Sequence, residues 1–373
     1  MRHHPSLPGA RGALPLALAA LLLACSAPAS RPPAAATPAA PAPTTAPAAT
    51  AQAAQAREHV NLGVLSSVSD SGLWIAIAKG YFEEQGLDVE TQPFGTAADM
   101  VAPLSAGQLD AGGGAPGVGL NNAVARGLEV RIVADKATTS PGHGYEAILI
   151  RKDLVDSGQV RVPADLKGRK YALPSVTGIT PEVALNRYMR QAGLGARDTD
   201  LITMPFPDMV AAFANRSIDA ATVIEPFVTQ IADHGDAVIA EREDVTYPNH
   251  TVAVILYAAP FSRDRQPAAR AFMVAYLKAL RDYNDAFTKR DPARYREVVD
   301  ILTRFTPVKD AALYGKMVMP GLDPNGVVNV ASLKEDQDYY LANGLQQERV
   351  DIDKLVDESF ARYAVEQLGG PYR

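Results

Sequence analysis

The residues best suited to hold a ligand lie in a loop of small hydroxyl side chains, Ser175-Val-Thr-Gly-Ile-Thr180, between a short apolar run and a helical one. Thr180 stands where an N-cap belongs, with Pro181 at the first helical position and Glu182 in the first turn. A helix start leaves about four backbone N–H groups without intrahelical partners and carries positive potential. With Ser175, Thr177 and Gly178 beside it, this loop can hold a polar or anionic group. Glu225 precedes Pro226, so it either caps a helix or turns a carboxylate into a crevice. In the crevice it would repel a nitrate or sulfonate and suit an amine, an amide or a ring N–H. Trp74, the only tryptophan, either packs on a sheet or offers a stacking wall to a planar ligand. Tyr145 follows His143-Gly and is placed to reach the same crevice.

Catalytic chemistry finds little footing. The six histidines form no H-x-x-x-H or H-E-x-x-H pair, and no G-x-S-x-G elbow occurs. Cys25 is the only cysteine, which excludes disulfides and any cysteine-based metal cluster or nucleophile in the folded part. Gly112-Gly-Gly-Ala-Pro-Gly117 fits G-x-G-x-x-G on paper, but it follows a third strand and contains Pro116. It reads as a flexible crevice loop. Neither a cofactor nor a metal is expected, and the chain reads as a binder.

The elements that must position these residues alternate. Apolar runs at 60–65, 86–91, 128–134, 147–150, 170–173, 201–204, 220–224, 237–240 and 252–257 read as strands separated by helices. That alternation means an α/β fold with largely parallel sheets. Thr96 opens a helix with a capping-box-like pattern completed by Asp99. From Pro267 onward the pattern is helical, at 268–288, 292–305, 311–317, 333–342 and 354–368. An internal echo, Gln108-Leu-Asp-Ala111 against Ser217-Ile-Asp-Ala220, points to two similar lobes. In such sheets ligands bind beyond the carboxyl ends of the strands.

Basic residues followed by an apolar run at 13–24 read as a secretory signal peptide over 1–24. Leu22-Leu-Ala-Cys25 resembles a lipobox, which makes Cys25 a lipidation site. Residues 26–57 hold 15 Ala and 7 Pro with no acid, a composition that cannot bury a core and suits a stiff tether. Residues 58–373 carry 32 basic and 42 acidic groups, which argues against nucleic acid or an anionic membrane face as partner.

The chain resembles the substrate-binding lipoproteins of ABC importers, in the nitrate/sulfonate/taurine and thiamine-pyrimidine-precursor group. The resemblance rests on Ala76-Ile-Ala-Lys-Gly-Tyr-Phe-Glu-Glu-Gln-Gly-Leu-Asp-Val89, Ala106-Gly-Gln-Leu-Asp110, Asp165-Leu-Lys-Gly-Arg-Lys170, Asp219-Ala220 with Glu225-Pro226, and Asp336-Gln-Asp-Tyr-Tyr-Leu-Ala-Asn-Gly344. Arg216 departs from it where the group usually has glycine. The resemblance implies a type II periplasmic-binding fold, with lobe 1 from 58–147 plus 253–373, lobe 2 from 148–252 and two crossing strands between. It implies a ligand wall of Ser69, Asp70, Trp74, Thr96, Ala115, Pro116, Thr177, Gly178, Thr180 and Glu225. It further implies a monomer that delivers its ligand to an ABC permease and ATPase, membrane-held only by its lipid on the extracytoplasmic face. An enzymatic branch of the group carries a C-C-C-F-C motif that this chain lacks. The favoured ligand is a planar, nitrogen-bearing nutrient of pyrimidine or vitamin type. A sulfonate or nitrate is the alternative, as is a sensor subunit that presents ligand to a membrane kinase.

Overall fold

A computed structural model describes residues 57–65, 67–175 and 178–373. The expected signal peptide and lipidation site, the Ala/Pro-rich segment up to residue 56 and Thr177 lie outside the described residues. The ten strands are β1 (Glu58–Val64), β2 (Leu87–Pro93), β3 (Ala111–Gly114), β4 (Val130–Thr138), β5 (Glu146–Arg151), β6 (Lys170–Leu173), β7 (Asp200–Thr203), β8 (Ala220–Ile224), β9 (Ala237–Arg242) and β10 (Thr251–Ala258). They form two five-stranded sheets, ordered β2-β1-β3-β10-β4 and β7-β6-β8-β5-β9. In each sheet one strand, β10 or β5, runs antiparallel to its neighbours. The longer helices are α1 (Ser71–Ala78), α2 (Val118–Ala125), α3 (Thr180–Arg190), α4 (Phe206–Ala214), α5 (Phe227–His234), α6 (Gln266–Phe287), α7 (Pro292–Phe305), α8 (Val330–Ala342) and α9 (Ser359–Gln367).

The echo has a physical cause. Asp110 accepts the Asn61 N–H at 2.9 Å and an Arg265 guanidinium at 2.6 Å. Asp219 accepts the Lys170 N–H at 3.0 Å and faces Arg151 at 3.2 Å. In both lobes the aspartate before the third strand pins the first strand at the same register, with Leu62 opposite Ala111 and Tyr171 opposite Ala220. Arg216 sits in the left-handed region at φ 60, which explains why glycine suits that turn.

The structure corrects several expectations. Gly112–Gly114 belong to central strand β3 rather than to a loop. A Cβ on Gly113 would lie 2.7 Å from Lys136 Cε, and one on Gly114 2.6 Å from Leu256 Cδ1, so the strand is glycine because its neighbours press on it. The segments that cross between sheets are 139–145 and 243–250; β5 and β10 themselves lie within the sheets. The 311–317 helix is a 3-10 turn over Ala311–Gly315, and the last helix is broken into Ile352–Leu355 and α9. The main core joins the first sheet to α1, α6, α7 and α9, and apolar clusters cover both faces of the second.

Candidate functional site

Of the six loops at the carboxyl ends of parallel strands, four follow β1, β3, β6 and β8. The second and third meet directly. Gly117 pairs with Ile179 across the lobes, and the Val118 N–H donates to the Gly178 carbonyl at 3.0 Å. Gly178 has φ +74, and a Cβ there would lie 2.1 Å from Val118 Cγ2, so this approach requires glycine. The cavity left beside it, lined by Pro116, Gly117, Asn121, Asp336 and Tyr340 among others, measures about 10 Å³.

Buried carboxylates of the chain itself stand at three of these loops. Asp70 Oδ2 accepts the Leu65 and Ser67 N–H groups at 2.9 and 3.1 Å, while Oδ1 lies 2.8 Å from Lys136 Nζ. Both side chains of that ion pair are wholly buried, and Lys136 also donates to Ser69 Oγ at 2.9 Å. Glu182, fully buried, accepts the Gly178 N–H at 2.9 Å and the Tyr339 hydroxyl at 2.9 Å, with Arg197 3.9 Å away. Glu225 accepts the Thr229 N–H and hydroxyl at 3.0 and 2.8 Å, and its other oxygen faces Arg242 at 3.5 Å and the Val318 N–H at 3.3 Å. Each acid is therefore paired with a base and with backbone donors.

Several sequence-based assignments change accordingly. Thr180 is the first residue of α3, with Ile179 as N-cap and no side-chain cap; the loop is closed by Glu182 instead. Glu225 acts in the first turn of α5, so its carboxylate is committed to the helix start. Trp74 is buried in the core and stacks on Phe305, centroids 5.3 Å apart, with its Nε1 unpartnered. Thr96 is exposed and bonds Asp99 at 2.9 Å in a 3-10 turn. Tyr145 lies in the core, its carbonyl accepting the Glu225 N–H. Ala115 is half-buried and Pro116 buried at the interlobe contact, and Ser175 is half-buried after β6.

Reasoning from loops missed the charged groups that strands deliver. Lys136 and Arg242 come from β4 and β9. The signal for Lys136 was present: Asp135-Lys136 continues an apolar run, and a charged pair there marks a buried ion pair rather than the strand's end. The two expected crossings lie just before β5 and β10 and not within them, and their contacts carried no sequence signal. There Thr139 N–H donates to His250 O at 3.0 Å and Asn249 N–H to Thr139 O at 2.8 Å. His250, wholly buried, joins Glu243 at 2.6 Å to Asp336 at 2.8 Å. Burial opposes its charged form, but the Asp336 and Glu243 carboxylates outweigh that and push the imidazole up to about 10.

The NMT1-like family model matches residues 53–302. A binding protein of Brucella abortus is 29% identical over 241 residues, 64% of this chain and 68% of that protein. The taurine-binding periplasmic protein of Escherichia coli is 24% identical over 228 residues, 60% of this chain and 67% of its own length. The periplasmic aliphatic sulphonate binding protein SsuA of Escherichia coli superposes with a TM-score of 0.65 at 21% identity, over 80% of this chain and 92% of that one. The desulfurization enzyme DSZB shares the fold at a TM-score of 0.57 and 15% identity, over 84% of this chain and 100% of its own, so the fold alone does not decide between binding and catalysis. The relatives aligned by sequence are binding proteins, and the chain belongs to the NMT1-like family.

Proposed function

We propose that the protein is an extracytoplasmic solute-binding component of an ABC importer whose ligand is a small, uncharged, nitrogen-bearing organic solute. The family and the binding proteins similar to it support the solute-binding role. One observation carries the ligand class: three cleft loops already hold the chain's own buried carboxylates, Asp70, Glu182 and Glu225, each matched by a cation. An arriving oxyanion would find no uncompensated cation there among the described residues, and the Gly178 N–H before α3 is already taken by Glu182. A neutral ligand with N–H donors meets no such opposition. The taurine-binding and sulphonate-binding relatives favour a second reading, an oxyanion-bearing ligand.

A thermal-shift panel of cytosine, thymine, uracil, nitrate, ethanesulfonate and taurine separates the two. Ligand at 100-fold over Kd should add about 2.7 kcal/mol of stability. Stabilisation by the heterocycles supports the proposal; stabilisation confined to nitrate and the sulfonates overturns it in favour of the second reading. We further propose that Cys25 carries the lipid tether, so Cys25→Ala should move the protein from the membrane fraction to the soluble one. Retention of that variant on membranes would contradict the tether.

A further inference from the structure

Helix α8 belongs to the first lobe by its packing. Leu333 joins the cluster under β4 and β10, the Thr251 N–H donates to Ser332 Oγ at 3.1 Å, and Gln337 donates to the Val350 carbonyl at 3.0 Å. Its other face reaches the second lobe. Tyr339 donates to Glu182 Oε1 at 2.9 Å, and Glu335 pairs with Arg187, both partners lying on α3. Tyr340 packs beside Gly178, where a Cβ would lie 3.3 Å from its ring, and joins Val118 and Val183 in a small interlobe apolar cluster. The other oxygen of Glu182 accepts the Gly178 N–H. One carboxylate thus connects a tyrosine of the first lobe to the backbone of a cleft loop in the second.

We propose that Tyr339 and Glu182 form an interlobe clasp that positions the Gly178 loop when the two lobes are together. Domain-closing binders rotate about their crossing segments. Rotation about 139–145 and 243–250 leaves α8 with the first lobe and carries α3 with the second. Opening therefore breaks the Tyr339–Glu182 bond and the Val118–Gly178 bond together, and Glu182 loses the donor that orients it toward Gly178. Tyr339 and Glu182 are positioning residues that act through the loop backbone. The clasp rests on the reading of the Gly178 loop as a cleft wall.

The test measures lobe separation without ligand, so its failure is distinguishable from failure of the ligand panel. Spin labels go on the full chain at Arg126→Cys and Arg190→Cys, exposed positions in the two lobes, with Cys25→Ser. Double electron–electron resonance then reads the distance distribution. Tyr339→Phe removes one hydroxyl and should raise the population of longer distances relative to shorter roughly tenfold, the weight of one hydrogen bond to a charged group. Glu182→Ala should do the same, and the double variant should add nothing further, since the two share the one bond that spans the lobes between them. Glu182→Gln can turn its carbonyl to the Gly178 N–H and donate its amide to the Tyr339 hydroxyl oxygen, and should hold the parent distribution. Unchanged distances in Tyr339→Phe, with or without a lower Tm, overturn the clasp, as do single effects that multiply in the double variant.

Discussion

Replacing Glu146 with glutamine should change how stability depends on pH. Glu146 opens β5 with 1% of its surface exposed, and neither carboxylate oxygen has a hydrogen-bond partner among the described residues. Burial, then the charge of neighbouring Glu243, pushes its carboxyl well above the usual range, so the folded protein keeps this proton to higher pH than the unfolded chain does. The neutral form avoids repulsion by the nearby Glu243 carboxylate. In the unfolded chain the group ionises near the ordinary 4.5. Its contribution to stability is therefore whole below that pH and is lost as pH rises toward the folded value. The loss runs at about 1.4 kcal/mol per pH unit while only the unfolded chain is ionised. For a domain of this size that is about 3 °C of Tm per unit. His250, raised to about 10, adds a slope of the same sign above about 6.5. Asp135, raised to about 7 by burial, adds one below 7. Comparing the variant with the parent at each pH removes the Asp135 slope, while His250, whose charge acts on Glu146, also contributes to the difference. Glu146→Gln keeps a neutral side chain beside Glu243 without titrating. The two proteins should melt alike near pH 5, and the variant should gain on the parent in Tm as pH rises above that, until the folded carboxyl ionises. Melting curves by circular dichroism at half-unit steps decide it. Parallel Tm profiles from pH 5 to 8 would refute the protonated-acid account.

Lys136→Met leaves the Asp70 carboxylate buried without its cation, at a cost of about 3–5 kcal/mol in denaturant unfolding; adding Asp70→Asn should recover part of it. If the single and double variants are equally destabilised, the ion pair is not the reason. Gly178→Ala forces a left-handed alanine against Val118 and should cost about 1–3 kcal/mol, partly restored by Val118→Ala, as read by Tm. A Gly178→Ala protein as stable as the parent would contradict the close approach. Arg216→Gly should stabilise by about 1 kcal/mol by removing a left-handed side chain, and a loss of stability would show that the Arg216 side chain matters more than its backbone.

Most strands were legible because their evidence is local. Apolar runs bounded by turn residues placed β1, β5, β6, β8 and β10 within a few residues, and the repeated Leu/Ile-Asp-Ala step announced two lobes because its aspartate does one job in each. Where a local signal had two physical meanings, only the fold chose. Glycines at 112–114 indicate flexibility in isolation, yet Leu256 from adjoining β10 and Lys136 from β4 beyond it press on Gly114 and Gly113 of what is a central strand. Glu225 before Pro226 suited a cap or a crevice, and the Thr229 backbone claimed it. Trp74 suited a wall or a core, and Phe305, some 230 positions away in sequence, claimed its ring. The charges beside the cleft stayed hidden for the same reason: Lys136 meets Asp70, Tyr339 meets Glu182 and His250 meets Asp336 only after distant strands and helices have packed. Sequence spacing reports which residues share a face of one element. Which buried charge neutralises which is a property of the assembled lobes, and that pairing carries the proposed preference for an uncharged ligand.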